Sequence, residues 1–386
     1  MIGKIIKKIF FIFFALLLSV ILLDIGLRII AGLRERIDKE NEVIDPKILL
    51  SSFKDVDWAE KYFQENKASG QEDFFPFYEW RTKEFHGEFI NVDDQGRRKT
   101  WNLEDRDIKQ NKKIFCFGGS TMWGHGVRDD FTIPSLLSRR FAEDRRSDLY
   151  FVNYGENAYT FTQELIYLIL LLKKGIVPDY VIFYDGVNEC LSAAQNKKAG
   201  LTINLNDMRE KLHYKKPSYI QMFLKGLSGI IERDSQLIKL VKGLRDKYGK
   251  NNIGKDDIDP IVSNEEVESL AMDVVSDYKS NVDLLERLSS SYGFKYFLFW
   301  QPAVFLTDPL TEEEKSFDLW QDRFLVELYK QTYNRIRQEA GLLNSFDLSP
   351  LLDNKNKSLY IDFCHLNEEG NAIIAEQVYT VLKDKL

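Results

Sequence analysis

The chain has 386 residues, 44% of them hydrophobic and 29% charged, enough for one large globular domain or two small ones and too apolar for disorder throughout. A formal net charge of -7 lacks the basic excess of a protein that neutralises many phosphates, which argues against a nucleic-acid partner. Three cysteines cannot all pair within one chain and match no zinc spacing, so neither a structural metal nor a cofactor is expected.

Ile9 to Leu23 is an uncharged, largely apolar run preceded by Lys4, Lys7 and Lys8. Alone it is shorter than the roughly 20 residues that cross a bilayer. Ile25 to Leu33 prolongs it past Asp24 and Arg28, which are four apart and able to pair on a helix. Residues 1–34 therefore read as an N-terminal membrane helix. No Ala-x-Ala-like site follows, so an uncleaved anchor is the expectation and a cleaved signal peptide the alternative. Flanking positive charge does not settle orientation, and the signal-like start places the remaining chain outside the cytoplasm, in the periplasm or at the cell surface.

Residues 35–112 read as an extension that packs on the main domain. Its aromatics Phe74, Phe75, Phe77, Tyr78 and Trp80 are expected to be buried, with a binding platform as the alternative. Phe85 to Val92 reads as a strand and Asp93 to Gly96 as a turn. Arg97 and Arg98 are expected to be solvated or paired, with contact to an anionic substrate as the alternative.

From Lys113 strands and helices alternate. Lys113 to Phe117 is an apolar strand that stops at Gly118-Gly119-Ser120-Thr121, where glycine lets the backbone turn and leaves the hydroxyl at the strand's carboxyl end. A helix follows, with Pro134 in its first turn and Leu136, Leu137 and Phe141 as its apolar stripe. Leu149 to Asn153 is a second strand ending at Tyr154-Gly155, and Thr160-x-x-Gln163 has the form of a capping box. Val181 to Tyr184 is a third, ending at Asp185-Gly186-Val187-Asn188.

Residues from about 190 to 264 interrupt that rhythm. Lysine is frequent there, and Ile220, Phe223, Leu224, Leu227, Ile230 and Ile231 recur at near-helical spacing. A helical cap over the site, contact with a membrane surface or acidic polymer, and an ordinary surface excursion all stay open. Beyond it come a helix at Glu265 to Ser289, a strand at Tyr296 to Trp300, a helix at about Phe317 to Glu339, a short strand near Leu343 to Phe346, and a last helix after Asn367. Strand, helix, strand in sequence predicts a parallel sheet covered by helices on both faces.

The chemistry gathers at the strand ends. Asp362-Phe363-Cys364-His365 places a carboxylate three residues before an imidazole, so His365 can take the Ser120 proton as general base while Asp362 fixes its tautomer. The oxyanion formed on attack needs donors, and the backbone N–H groups of Ser120 and Gly155 with the Asn188 amide are the candidates. His125, in Gly124-His125-Gly126, is a rival base that reads more simply as a flexible surface turn; His86 and His213 have no visible partners. Trp300-Gln301-Pro302 either borders the pocket or ends a strand. Cys116, Cys190 and Cys364 read as small buried residues, with a Cys190–Cys364 disulfide as the alternative in an oxidising compartment.

Gly118-Gly119-Ser120-Thr121, Asn153-Tyr154-Gly155, Gly186-Val187-Asn188-Glu189 and Asp362-Phe363-Cys364-His365 together resemble the four sequence blocks of the SGNH (GDSL-like) hydrolase superfamily. The resemblance covers residues 113–386, apart from the insert. It implies a flavodoxin-like three-layer α/β/α sandwich with a mainly parallel sheet, action on acyl esters, and no metal. By position Ser120 corresponds to the nucleophile and first oxyanion donor, Gly155 and Asn188 to the other donors, and His365 with Asp362 to the base and its acid. Gly119 and Glu189 each stand where many members carry aspartate. The activity this implies is a serine esterase acting on short acyl esters, O-acetyl groups on cell-envelope carbohydrate among them. An O-acyltransferase with a polysaccharide acceptor and a non-catalytic envelope scaffold are the alternatives.

Overall fold

The computed structural model describes residues 45–103, 111–205, 264–317, 322–343 and 345–386. The expected membrane helix at 1–34, the apolar residues of the insert from Ile220 to Ile231, and His213 lie outside them. Among the described residues no helix is long and apolar enough to cross a membrane.

Two small hairpins follow the helix Ala59–Ser69. Strands β1 (Glu72–Phe75) and β2 (Glu79–Thr82) pair antiparallel, as do β3 (Phe85–His86) and β4 (Asn91–Val92). The single strand expected over Phe85 to Val92 is thus a tight hairpin. The Glu65 carboxylate accepts from the N–H groups of Glu88, Phe89 and Ile90, taking them away from any ladder.

The main sheet has five parallel strands: β5 (Lys112–Gly118), β6 (Leu149–Asn153), β7 (Tyr180–Asp185), β8 (Lys295–Trp300) and β9 (Ser345–Asp347), in the spatial order β6-β5-β7-β8-β9. The apolar run Ile114 to Phe117 forms the interior of β5 and is fully covered, as a strand buried on both faces must be. Rings stack across the ladder, Phe117 lying 5.3 Å from Phe183. Each such side chain contributes on the order of 1.5–3 kcal/mol by burial.

Because parallel connections are right-handed, the β5-to-β6 connection runs opposite to the three that follow, and their helices cover opposite faces. The helices Ile133–Glu143 and Glu368–Leu382 pack together; Phe161–Lys173, Val187–Asn196, Asn264–Tyr292 and Arg323–Leu343 form the second layer. The chain reverses direction between β5 and β7. An open sheet of this order leaves a crevice at the carboxyl ends of those two strands, and Gly119-Ser120 and Gly186-Asn188 flank it.

Residues 45–103 pack on this framework. Phe53, Tyr62, Phe63, Ile90 and Val92 form a core with Trp123 and Ile361, covering the turn after Ser120 and the segment before Asp362. Hairpin β1–β2 is tied to the loop after β6: Thr82 donates to Glu156 from both its N–H and its hydroxyl, and Trp80 Nε1 donates to Asn157 O at 2.9 Å.

The expected burial of the hairpin aromatics needs correction. Only Tyr78 is fully buried among the aromatics of that hairpin and Trp80 packs partly, while Phe74 and Phe77 are 79% and 76% exposed; β1 is an outer strand of a two-stranded ribbon with no layer over it. Arg98 is an internal strut: its Nε lies 2.6 Å from Asp129, its guanidinium sits 4.4 Å from the Trp123 ring centroid, and it donates to the Gly124 and Val127 carbonyls. Arg97 pairs with Asp93. Cys116, Cys190 and Cys364 are all free and buried, so Cys190 and Cys364 form no disulfide.

Candidate active site

Ser120 opens a one-turn helix, Ser120–Trp123, directly after β5, and is half-buried at the mouth of the crevice. The turn is braced from β8, since Thr121 Oγ1 donates to the Gln301 side chain, and Gln301 is itself fixed by Tyr333 Oη donating to its carbonyl at 2.8 Å. Trp300-Gln301-Pro302 therefore supports the turn from behind.

His365 reaches Ser120 from the other end of the chain. The Ile361 N–H donates to His365 O at 2.9 Å and the Asn367 N–H to Leu359 O, pinching residues 362–364 into a tight loop. Within it Asp362 Oδ1 accepts from the N–H groups of Cys364, at 3.1 Å, and His365, at 2.9 Å. This carboxylate shapes its own loop, which is why a three-residue spacing suffices. His365 Nδ1 lies 2.8 Å from both Asp362 oxygens and Nε2 lies 2.7 Å from Ser120 Oγ. With Nδ1–H donating to the carboxylate, Nε2 is left to accept the hydroxyl proton.

A fourth residue, not foreseen from sequence, joins the group. Lys47 Nζ lies 2.9 Å from Asp362 Oδ2 and 3.2 Å from His125 Nε2. Burial by itself raises the Asp362 carboxyl, but the charge and hydrogen bonds of His365, with Lys47, outweigh it and hold the group well below the usual carboxylate range.

His125 is no flexible surface turn. Its N–H donates to Ser120 O at 2.9 Å, the next N–H, of Gly126, donates to Tyr62 Oη, and its ring centroid lies 4.5 Å from that of His365. Burial, aided by His365 and Lys47, pushes the imidazole well below its ordinary value, so His125 is neutral and accepts from Lys47. The ligand atoms of His125, Asp362 and His365 lie within 4.8 Å of one another, and the Lys47 ammonium bonded to the first two puts a positive charge there that disfavours a metal cation.

The oxyanion side departs from expectation. The Gly155 N–H is already spent on Asn153 Oδ1, at 2.9 Å, and a Cβ at 155 would lie 2.4 Å from Trp123 N. Glycine is needed there so that the β6 loop can lie against the backbone of the Ser120 helix, and Gly155 is withdrawn as an oxyanion donor. Asn188 lies beside the nucleophile turn, its Nδ2 2.3 Å from where a Cβ on Gly119 would stand, which accounts for glycine at 119. One Asn188 N–H donates to Tyr159 O at 2.6 Å, and no partner for the second is found among the described residues. Just before Tyr159, Ala158 has φ 59°, a left-handed conformation that is costly for alanine. No hydrogen bond from its N–H is found among the described residues. Only the backbone angle marks Ala158 as a donor candidate in place of Gly155. Glu189 locks the arrangement by accepting from the Phe161 N–H at 2.8 Å and the Gly186 N–H at 2.7 Å, tying the loop after β6 to the loop after β7.

No protein-family model matches the chain, and no curated protein matches it. Solved structures similar to it include the acetyl xylan esterase AlAXEase, at 15% identity and TM-score 0.35 over 70% of this chain and 99% of that one. Est24, a carbohydrate acetylesterase from Sinorhizobium meliloti, aligns at 12% identity and TM-score 0.38 over 72% and 100%. An M. smegmatis aryl esterase aligns at 13% identity and TM-score 0.39 over 71% and 100%. With superpositions this loose, what bears on the chemistry is the site's own geometry.

Proposed function

We propose that the chain is a serine-dependent hydrolase of acyl esters. The observation that carries this reading is the continuous run of hydrogen bonds from Ser120 Oγ through His365 to Asp362, at 2.7 Å and 2.8 Å, in the crevice beside β5 and β7. An isolated serine hydroxyl is a poor nucleophile, and a base at hydrogen-bond distance, itself oriented by a carboxylate, is the arrangement that activates one.

In this reading Ser120 Oγ attacks the acyl carbonyl as His365 Nε2 takes its proton. Asp362 steadies the imidazolium, and the oxyanion is met by the Ser120 N–H and the second Asn188 amide proton, with the Ala158 N–H next in the loop. Collapse of the intermediate expels the alcohol, which takes the proton from His365 and leaves an acyl-Ser120 ester. A water activated by the same imidazole then releases the acid and restores the serine. A sugar hydroxyl in place of that water would make the same residues an O-acyltransferase.

As substrate we favour short acyl esters, with O-acetyl groups on carbohydrate the leading class. The exposed rings of Phe74 and Phe77 support this, because sugars stack on aromatic faces and the hairpin is bonded to the loop beside Asn188. The apolar run Ile9 to Leu23 with its flanking lysines supports attachment to a membrane, with the hydrolase domain in an extracytoplasmic space.

Purified protein should hydrolyse p-nitrophenyl acetate well above the spontaneous rate, and Ser120→Ala should lose on the order of 10⁶ in kcat. A folded Ser120→Ala variant turning over at the parental rate would overturn the assignment.

A further inference from the structure

We propose that Lys47, brought to the site by residues 45–52, is a positioning residue that sets the pH range over which His365 works as a base. This rests on the hydrolase reading above and adds a role for a segment that otherwise serves only packing.

The lysine is placed by construction. Pro46–Leu49 is a short 3-10 helix whose preceding Asp45 side chain accepts from the Lys47 N–H at 2.9 Å. Just beyond it the chain is fastened twice: Ser51 donates to Glu313 from its N–H, at 2.8 Å, and from its hydroxyl, at 2.7 Å, and Asn367 Nδ2 donates to Ser52 Oγ at 2.7 Å. Asn367 also caps the final helix by accepting from the Gly370 N–H, so the clamp holds the chain two residues after His365. Lys47 and Asp362, together with Leu50, Phe317, Ile361 and Phe363, line one cleft of about 380 Å³. The half-buried ammonium is directed at the carboxylate rather than free in solvent.

The groups facing the imidazole and its acid are few. His365 meets Asp362, Ser120, Cys364 Sγ at 3.6 Å and the His125 ring; Asp362 meets His365 and Lys47, and Arg98 acts on His125 from farther off. Among the described residues Lys47 is thus the cationic side chain that touches the catalytic acid. It does two things at once. By offsetting part of the Asp362 charge it weakens the carboxylate's hold on an imidazolium at 365, and its removal would strengthen that hold. By donating to His125 Nε2 it also keeps that second imidazole neutral, so that no imidazolium at 125 competes for Asp362.

The test is the Lys47→Met variant, with Lys47→Arg as the charge-conserving control and thermal melts to confirm that both fold. In Lys47→Met the acid limb of kcat/KM should move to higher pH by about one unit, the size of shift a neighbouring charge produces, and Lys47→Arg should return it towards the parental position. A purely structural lysine would lower the plateau and leave the limb in place; a limb unmoved within about 0.2 unit in folded Lys47→Met overturns the proposal. The same variant can be followed without turnover, because the chain has four histidines and their imidazole signals are separable by NMR. The His365 titration should rise in Lys47→Met by a similar amount, and no movement there refutes the role of Lys47 even if every ester tested is inert. Inert esters with a shifted His365 titration would instead sink the hydrolase reading and leave the lysine's influence standing.

Discussion

On one side of Ser120, side chains do the joining: His365, Asp362, Lys47 and His125 are linked tip to tip by polar atoms at 2.7 to 3.2 Å. On the other side, side chains meet backbone. Ala158 is held at φ 59°, Asn188 divides its amide between Tyr159 O and the crevice, and Glu189 ties two loops through their N–H groups. The acid–base half depends on which residues are present, whereas the oxyanion half depends on what conformation the chain adopts. Substitutions should therefore act on the two halves in different ways.

The largest effect should come from the acid–base half. Asp362→Asn cannot hold the Nδ1–H tautomer of His365, so kcat of the folded variant should fall by about 10⁴. On the oxyanion half, Asn188→Ala should cost about 10² to 10³ in kcat, the range for one preorganised donor. A loss below about tenfold would mean that the amide serves Tyr159 O alone and that the comparison has overstated its role. Gly155→Ala should register as stability: the added methyl meets backbone of the Ser120 helix, which cannot swing aside, so denaturant unfolding should show a loss near the top of about 1–3 kcal/mol. The folded fraction should keep its Km. Smallest is Ala158→Gly, where relief of about 1–2 kcal/mol of left-handed strain is offset by about 0.5–1 kcal/mol of added chain entropy. A slight stabilisation is expected by the same unfolding assay, with kcat preserved because the backbone N–H remains.

The same division explains what could be read from the sequence. The parallel sheet was legible because apolar runs such as Ile114 to Phe117 end in glycine and alternate with amphipathic segments. Asp362 and His365 were legible because a three-residue spacing on one loop brings a carboxylate to an imidazole. Lys47 was not, since nothing local distinguishes it from other lysines and only the packing of Phe53, Tyr62 and Phe63 on Trp123 and Ile361 brings it to Asp362. Gly155 drew the oxyanion role because glycine suggests close approach; the approach is real, but to Met122 and Trp123, and the unusual backbone angle falls at Ala158, where the residue type conceals it. Gly124-His125-Gly126 has the composition of a loose turn, yet its atoms are held by Ser120 O, Tyr62 Oη and Lys47. The exposed Phe74 and Phe77 break the rule that aromatics are buried, because a two-stranded ribbon has no second layer to bury them.

Everything on both sides presupposes that the Ser120 hydroxyl is activated by His365. Incubation with a fluorophosphonate, followed by intact mass and peptide mapping, reads that directly and needs no knowledge of the natural ester. A single adduct on the peptide carrying Ser120, absent in Ser120→Ala and strongly slowed in His365→Ala, is the predicted result. A folded protein that gains no adduct, or gains one at another residue, would contradict it.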